Sequence, residues 1–167
     1  IAFSKTAYAF TYMAPALSRT YALRYTNTGY KLDLEQMREK LLKYSKGKVP
    51  VRFIGFPSYT YFLLKQMKEE GIKVKLPKGS IMTLGGGWKQ FYAERVSKEE
   101  FYALVKEVLG LEDKNIIEFF GAVEHMVLYT DCRNHHFHVP IYGRVIIRDV
   151  DTLEPVKDGE IGLVNLL

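Results

Sequence analysis

The feature that most constrains this chain is a pattern that occurs twice, a short apolar run that ends in glycine just before a helix can open. Val51-Arg52-Phe53-Ile54 runs into Gly55, and Pro57-Ser58 suit the first turn of a helix that continues through Glu70 and stops at Gly71. Ser80-Ile81-Met82-Thr83-Leu84 then leads into Gly85-Gly86-Gly87, and a later helix is predicted from Ser97 to Leu109. Ser97 and Glu100 have the spacing of a capping box. Strands that alternate with helices belong to a sheet with crossover connections.

Around this nucleus the pattern changes. Upstream, Leu34, Met37, Leu41 and Leu42 recur at helical spacing after an N-cap-like Asp33, with Gly47 following the last turn. Residues 1–30 are rich in Ala, Tyr and Thr without a clean period, and helical turns are expected from Thr6 to Leu23. Downstream, Ile116 to Phe120, Met126 to Thr130, Arg144 to Asp149 and Glu160 to Leu166 read as strands, with a turn at Gly159 before the last. The fold class is therefore α/β, a mixed sheet flanked by helices, with a β-rich C-terminal stretch that forms its edge or a small attached sheet. No repeat, low-complexity tract or linker divides the chain, so residues 1–167 are treated as one unit.

Composition narrows the function classes. A chain of 167 residues with 47% hydrophobic and 26% charged residues is of a size and balance that bury a real core. No apolar run approaches the ~20 residues of a membrane span. The single cysteine excludes an internal disulfide framework and fits a reducing compartment, so a cytoplasmic location is expected. The excess of 24 Lys and Arg over 19 Asp and Glu is dispersed, and no base-reading motif accompanies it, so nucleic acid is not an expected partner. A non-catalytic basic binding or structural fragment stays as the alternative from outside enzyme chemistry. The chain starts at Ile1 and stops in Leu163-Val164-Asn165-Leu166-Leu167, which reads as a piece of a longer protein.

Three constellations carry candidate chemistry. Gly85-Gly86-Gly87-Trp88-Lys89 offers a backbone that a planar or phosphorylated ligand can approach closely, although the glycines alone also make a tight strand exit. Phe119-Phe120-Gly121-Ala122-Val123-Glu124-His125 places an aromatic face, a glycine and a carboxylate in order: stacking on a base, close passage, and a ligand for Mg²⁺ that bridges phosphates. A core strand with an exposed glutamate is the bland alternative. Cys132-Arg133-Asn134-His135-His136-Phe137-His138 holds three of the four histidines and the cysteine. Cys132, His136 and His138 are candidate zinc ligands, but strand alternation puts His135 on the other face, and Cys132 has no evident base partner as a nucleophile. The helix with Tyr59, Tyr61, Phe62, Leu63, Leu64 and Met67 is apolar on more than one face, mostly core, with an acyl-binding wall as the sharper alternative.

The order of these features carries a resemblance. Ile54-Gly55-Phe56-Pro57-Ser58-Tyr59, Thr83-Leu84-Gly85-Gly86-Gly87-Trp88-Lys89, Phe120-Gly121-Ala122-Val123-Glu124, Phe137-His138-Val139-Pro140 and Asp151-Thr152-Leu153-Glu154-Pro155-Val156-Lys157-Asp158-Gly159-Glu160-Ile161-Gly162-Leu163 together resemble the LuxE family of acyl-protein synthetases, within the adenylate-forming superfamily. The resemblance runs from about residue 30 to the end. It implies the central part of the large N-terminal domain of an adenylate-forming enzyme and a two-step ligase. A fatty acid carboxylate attacks the α-phosphate of ATP, pyrophosphate leaves, and the acyl group passes to an enzyme thiol and onward to a fatty acid reductase-type acceptor protein.

By the same resemblance, Gly85, Gly86 and Gly87 pass close to the adenine and the acyl carboxylate, Phe120 and Gly121 contact the base, and Glu124 ligates Mg²⁺ as the catalytic carboxylate. Pro57, Tyr59 and Tyr61 line the acyl pocket. Val123 departs from the threonine of many superfamily members. A phosphate loop, a ribose-binding aspartate and the small domain with the mobile lysine and the acylated cysteine are expected outside this span, so the chain alone is expected not to complete adenylation. A phenylacetate–CoA ligase type, delivering its product to coenzyme A, is the nearest alternative.

Overall fold

The computed structural model describes residues 16–122 and 124–167. Chain contacts divide it into two units, Ile1–Lys43 and Tyr44–Leu167. In the first, β1 (Leu23–Thr26) and β2 (Gly29–Leu32) form an antiparallel hairpin about Asn27-Thr28. The Thr26 hydroxyl closes the turn by donating to the Gly29 carbonyl at 2.7 Å. Asp33 then caps α1 (Leu34–Ser45) as its sequence position predicts, its Oδ1 accepting the Gln36 N–H at 3.0 Å. The helical turns expected from Thr6 to Leu23 fall partly outside the described residues, and residues 16–22 contain no helix.

The second unit is built on a five-stranded sheet of order β3-β4-β5-β6-β7. Its strands are β3 (Arg52–Gly55), β4 (Ile81–Gly85), β5 (Ile116–Ala122), β6 (His125–Asp131) and β7 (Phe137–His138). The first three are parallel and the last two antiparallel, so the sheet is mixed. The parallel connections run through α2 (Pro57–Glu69) and α3 (Lys98–Leu109). Proline at the first position of α2 has no N–H to leave unpaired. Ser97 caps α3 by accepting the Glu100 N–H at 3.1 Å, but the carboxylate that meets the Ser97 hydroxyl is Glu99 rather than Glu100. Gly110, at φ +66°, ends the helix where the sequence places its stop.

Register explains where the core lies. Phe53 pairs with Met82, Met82 with Ile116, and Phe120 with Tyr129, so one sheet face carries Phe53, Met82, Leu84, Ile116 and Tyr129, all buried. On that face the Tyr102 hydroxyl of α3 donates to Glu118 of β5 at 2.8 Å, and α2 contributes Leu63, Leu64 and Met67 to the core. Each such side chain removed from water contributes roughly 1.5–3 kcal/mol. The late β-rich stretch is a separate two-stranded sheet, β8 (Val145–Arg148) with β9 (Leu163–Leu166). The strand expected from Glu160 starts only at Leu163, because Lys157 to Glu160 are spent in a turn closed by Glu160 N–H to the Lys157 carbonyl at 3.1 Å.

Candidate functional site

Parallel register brings three distant segments to one edge. Gly55 lies opposite Leu84 and Gly85 opposite Phe119, so Phe56-Pro57 and the triple glycine leave the sheet at the carboxyl ends of β3 and β4 beside Phe119-Phe120 of β5. Open α/β sheets bind ligands at that edge. The glycines are there for different reasons. A Cβ on Gly85 would run into the Phe119 ring, and one on Gly86 would meet the Phe56 ring. Gly87 has open space around it but stands at φ +65°, and Gly86 at +79°, in the left-handed region that favours glycine.

Beyond the glycines, Trp88 and the 3-10 turns over Lys89–Glu94 form one side of an aromatic wall. Tyr59 and Phe62 of α2 hold Phe91 edge-on at 5.5 and 5.0 Å, and Tyr61 meets Trp88 at 5.5 Å and Phe101 at 6.4 Å. Tyr59 and Tyr61 are thus brought beside the glycine loop, and Pro57 stands at the start of the same helix. Phe56 reaches Tyr59 at 6.3 Å and stays 42% exposed.

Phe120 is 48% exposed, and its ring rests on buried Tyr129 at 6.1 Å. Tyr129 is in turn fixed by His125, whose Nε2 lies 2.9 Å from the tyrosine hydroxyl. Register shifts between Phe120 and Ala122, where Gly121 alone faces Met126, Val127 and Leu128, so the extra residues bulge from β6. Ala122 pairs with His125, so exposed Glu124 occupies the tight turn between β5 and β6, while Val123 lies outside the described residues. Among the described residues no group of three or more His, Cys, Asp or Glu side chains is placed to hold a metal ion. A cage made by protein alone is therefore not present there. Glu124 offers this turn a carboxylate, an oxygen donor of the kind that Mg²⁺ takes.

Cys132, His136 and His138, the candidate zinc ligands, form no such group among the described residues. The chain turns at Cys132–His135, with the His135 N–H donating to the Cys132 carbonyl at 2.8 Å and His135 at φ +57°. This loop turns the His135 Nδ1 to the buried Asp131 carboxylate at 3.1 Å. Cys132 instead has the base partner that its sequence position did not reveal. The His138 imidazole, with help from the Asn134 and His136 backbone, pulls its thiol down to about 7. Asp131 serves both strands, because its other oxygen accepts the Glu118 N–H at 2.7 Å. Burial, then the bond to Glu118, raise the Tyr102 hydroxyl well above the ordinary tyrosine value, so it remains a donor.

Comparison with known proteins gives these motifs a family. A family model described as "Acyl-protein synthetase, LuxE" matches residues 3–167. The chain belongs to the LuxE family. It is 30% identical over 161 residues to the long-chain-fatty-acid–luciferin-component ligase of Aliivibrio fischeri and 25% identical over 161 residues to that of Vibrio harveyi. Each match covers 95% of this chain and 42% of the relative, so this LuxE-family chain spans less than half the length of those proteins. Among the residues at the edge, Phe91 escaped the sequence reading because it lacks a motif, while Lys89 was read as the end of the glycine motif without its left-handed φ of +51°.

Proposed function

We propose that this chain forms the base- and acyl-facing part of an ATP-dependent fatty-acid ligase of the acyl-protein synthetase type. The observation that carries the reading is the meeting of the Phe56-Pro57 turn, the Gly85–Gly87 loop and Phe119-Phe120 at one sheet edge, in a chain of the LuxE family. In this reading Phe120 stacks on the adenine, held up by Tyr129 and His125, and Gly121 lets the base approach. Gly87, with open space around it, lets the adenylate lie against backbone, while Gly85 and Gly86 seat the Phe119 and Phe56 rings beside it. Tyr59 and Tyr61, with Pro57, line the acyl side and exclude water from it.

The carboxylate of a fatty acid attacks the α-phosphate, pyrophosphate leaves, and the acyl-adenylate then yields its acyl group to a thiol with release of AMP. Charge concentrates on the phosphates in that step, and backbone donors at the glycine loop oppose it. Mg²⁺ bound with the nucleotide would neutralise phosphate charge, and Glu124 would hold it. The first acceptor is a thiol of the enzyme, which passes the acyl group on to a fatty acid reductase-type partner protein, and a cytoplasmic setting suits a reduced thiol. Release to coenzyme A is the competing outcome, and a carboxylate panel run with and without coenzyme A on the longer family enzyme separates the two.

Equilibrium dialysis of the chain with AMP tests the base platform directly. Phe120→Ala is expected to weaken binding by about five- to tenfold while the far-ultraviolet circular dichroism stays unchanged. Unchanged affinity in that variant, or no saturable AMP binding by the wild type, would refute the adenylate reading.

A further inference from the structure

The backbone hand alternates in the segment that leaves β4. Gly86 and Gly87 are left-handed, Trp88 is right-handed at φ −80° and ψ −14°, and Lys89 is left-handed again at φ +51°. Right-then-left backbone, as at Trp88-Lys89, curls successive N–H groups into a concavity that suits an anionic oxygen. Glycine would take the fourth position without strain, yet a lysine stands there. Its side chain folds back over the loop, with Cε 3.5 Å from where a Cβ of Gly86 would be. Among the described residues the Lys89 ammonium has no carboxylate partner, so no ion pair holds it back from an anion.

We infer that Lys89 is the anion-binding residue of this edge, its ammonium and the Trp88-Lys89 amides together taking a carboxylate or phosphate oxygen. The strained backbone is then kept because it aims the charge at the glycine loop. The assignment rests on the proposed ligase reading only for which anion arrives, the carboxylate of the acyl substrate or the phosphate of the nucleotide. Both present the same chemistry, and Lys89 discriminates them from their uncharged counterparts.

Trp88 is the only tryptophan in the chain and adjoins Lys89, so its fluorescence reads this loop without any need for turnover. The 167-residue protein is titrated with octanoate against octanol and with AMP against adenosine. At least one anion is expected to saturate the Trp88 signal at about tenfold lower concentration than its uncharged counterpart, with the advantage shrinking as salt rises. Lys89→Met should abolish that advantage, Lys89→Arg should keep it, and Lys89→Gly should abolish it while leaving the thermal midpoint equal to or above that of the wild type.

A preference for AMP alone identifies phosphate as the anion, and a preference for octanoate alone identifies carboxylate. The inference is overturned if Lys89→Met keeps the full preference, or if neither anion is preferred by the wild type. Octanoate discrimination through Lys89 without AMP binding would remove the adenylate reading and leave Lys89 in place. AMP binding that ignores Lys89→Met would do the reverse.

Discussion

The five-stranded sheet has two halves built by different means. In the parallel half, β3 to β5 bury Phe53, Met82, Leu84 and Ile116, and their exits are shaped by rings lying against bare backbone, Phe119 on Gly85 and Phe56 on Gly86. In the antiparallel half, β6 leaves Met126 99% and Leu128 48% exposed, and its chemistry hangs on side-chain bonds: Asp131 with the Glu118 N–H and His135, and Cys132 with His138. Shape in one half is set by the absence of atoms, and in the other by the presence of polar ones. The two should fail differently when substituted.

Removing core volume gives the largest contrast. Met82→Ala is expected to cost about 2–5 kcal/mol in urea denaturation, and Leu128→Ala no more than ~0.5 kcal/mol. Equal losses would break the comparison. Adding one carbon comes next: Gly85→Ala must displace the Phe119 ring, at a cost of about 1–3 kcal/mol. Combining it with Phe119→Leu should give a double mutant more stable than the sum of the two single losses predicts, since each relieves the other. Strict additivity would mean that the ring is not what the glycine makes room for.

In the antiparallel half, Asp131→Ala leaves the Glu118 N–H without its acceptor and should cost about 1–3 kcal/mol. The same variant should loosen the Cys132–His138 hairpin, seen as faster amide exchange there than in β4. The smallest effect is on reactivity alone. Because His138 favours the thiolate, alkylation of Cys132 by iodoacetamide should rise with pH through a midpoint of about 7. His138→Gln should move that midpoint upward, toward the ordinary thiol value of 9.0, with no change in the urea midpoint. An unmoved alkylation profile would show that the imidazole is not the cause.

The parallel half was the more legible in sequence. Ile54-Gly55, Pro57, Ser97 and Gly110 are local signals, and local signals set where strands and helices start and stop. The β1–β2 hairpin was missed because Asn27-Thr28 is not one of the strong hairpin dipeptides. The site was legible as motifs but not as contacts. That Gly85 accommodates Phe119, or that Cys132 meets His138 and not His135, depends on register between segments far apart or on the hand of one turn. Lys89 reads in sequence as the end of the glycine motif, and its left-handed backbone shows only in the structure.

The two crossovers have a consequence for the time course of folding. Hairpins such as β5–β6 and β8–β9 close between near neighbours, but β3–β4 and β4–β5 can pair only after α2 and α3 have been traversed. Contacts of long sequence separation form late, because loop closure precedes the gain from pairing. The Phe119 ring reaches Gly85 only across the second of these crossovers, so the glycine edge is assembled among the last parts of the molecule. Refolding followed through Trp88 should therefore lag the recovery of helical signal, and the ligand-facing edge marks the arrival of the native state rather than its nucleus.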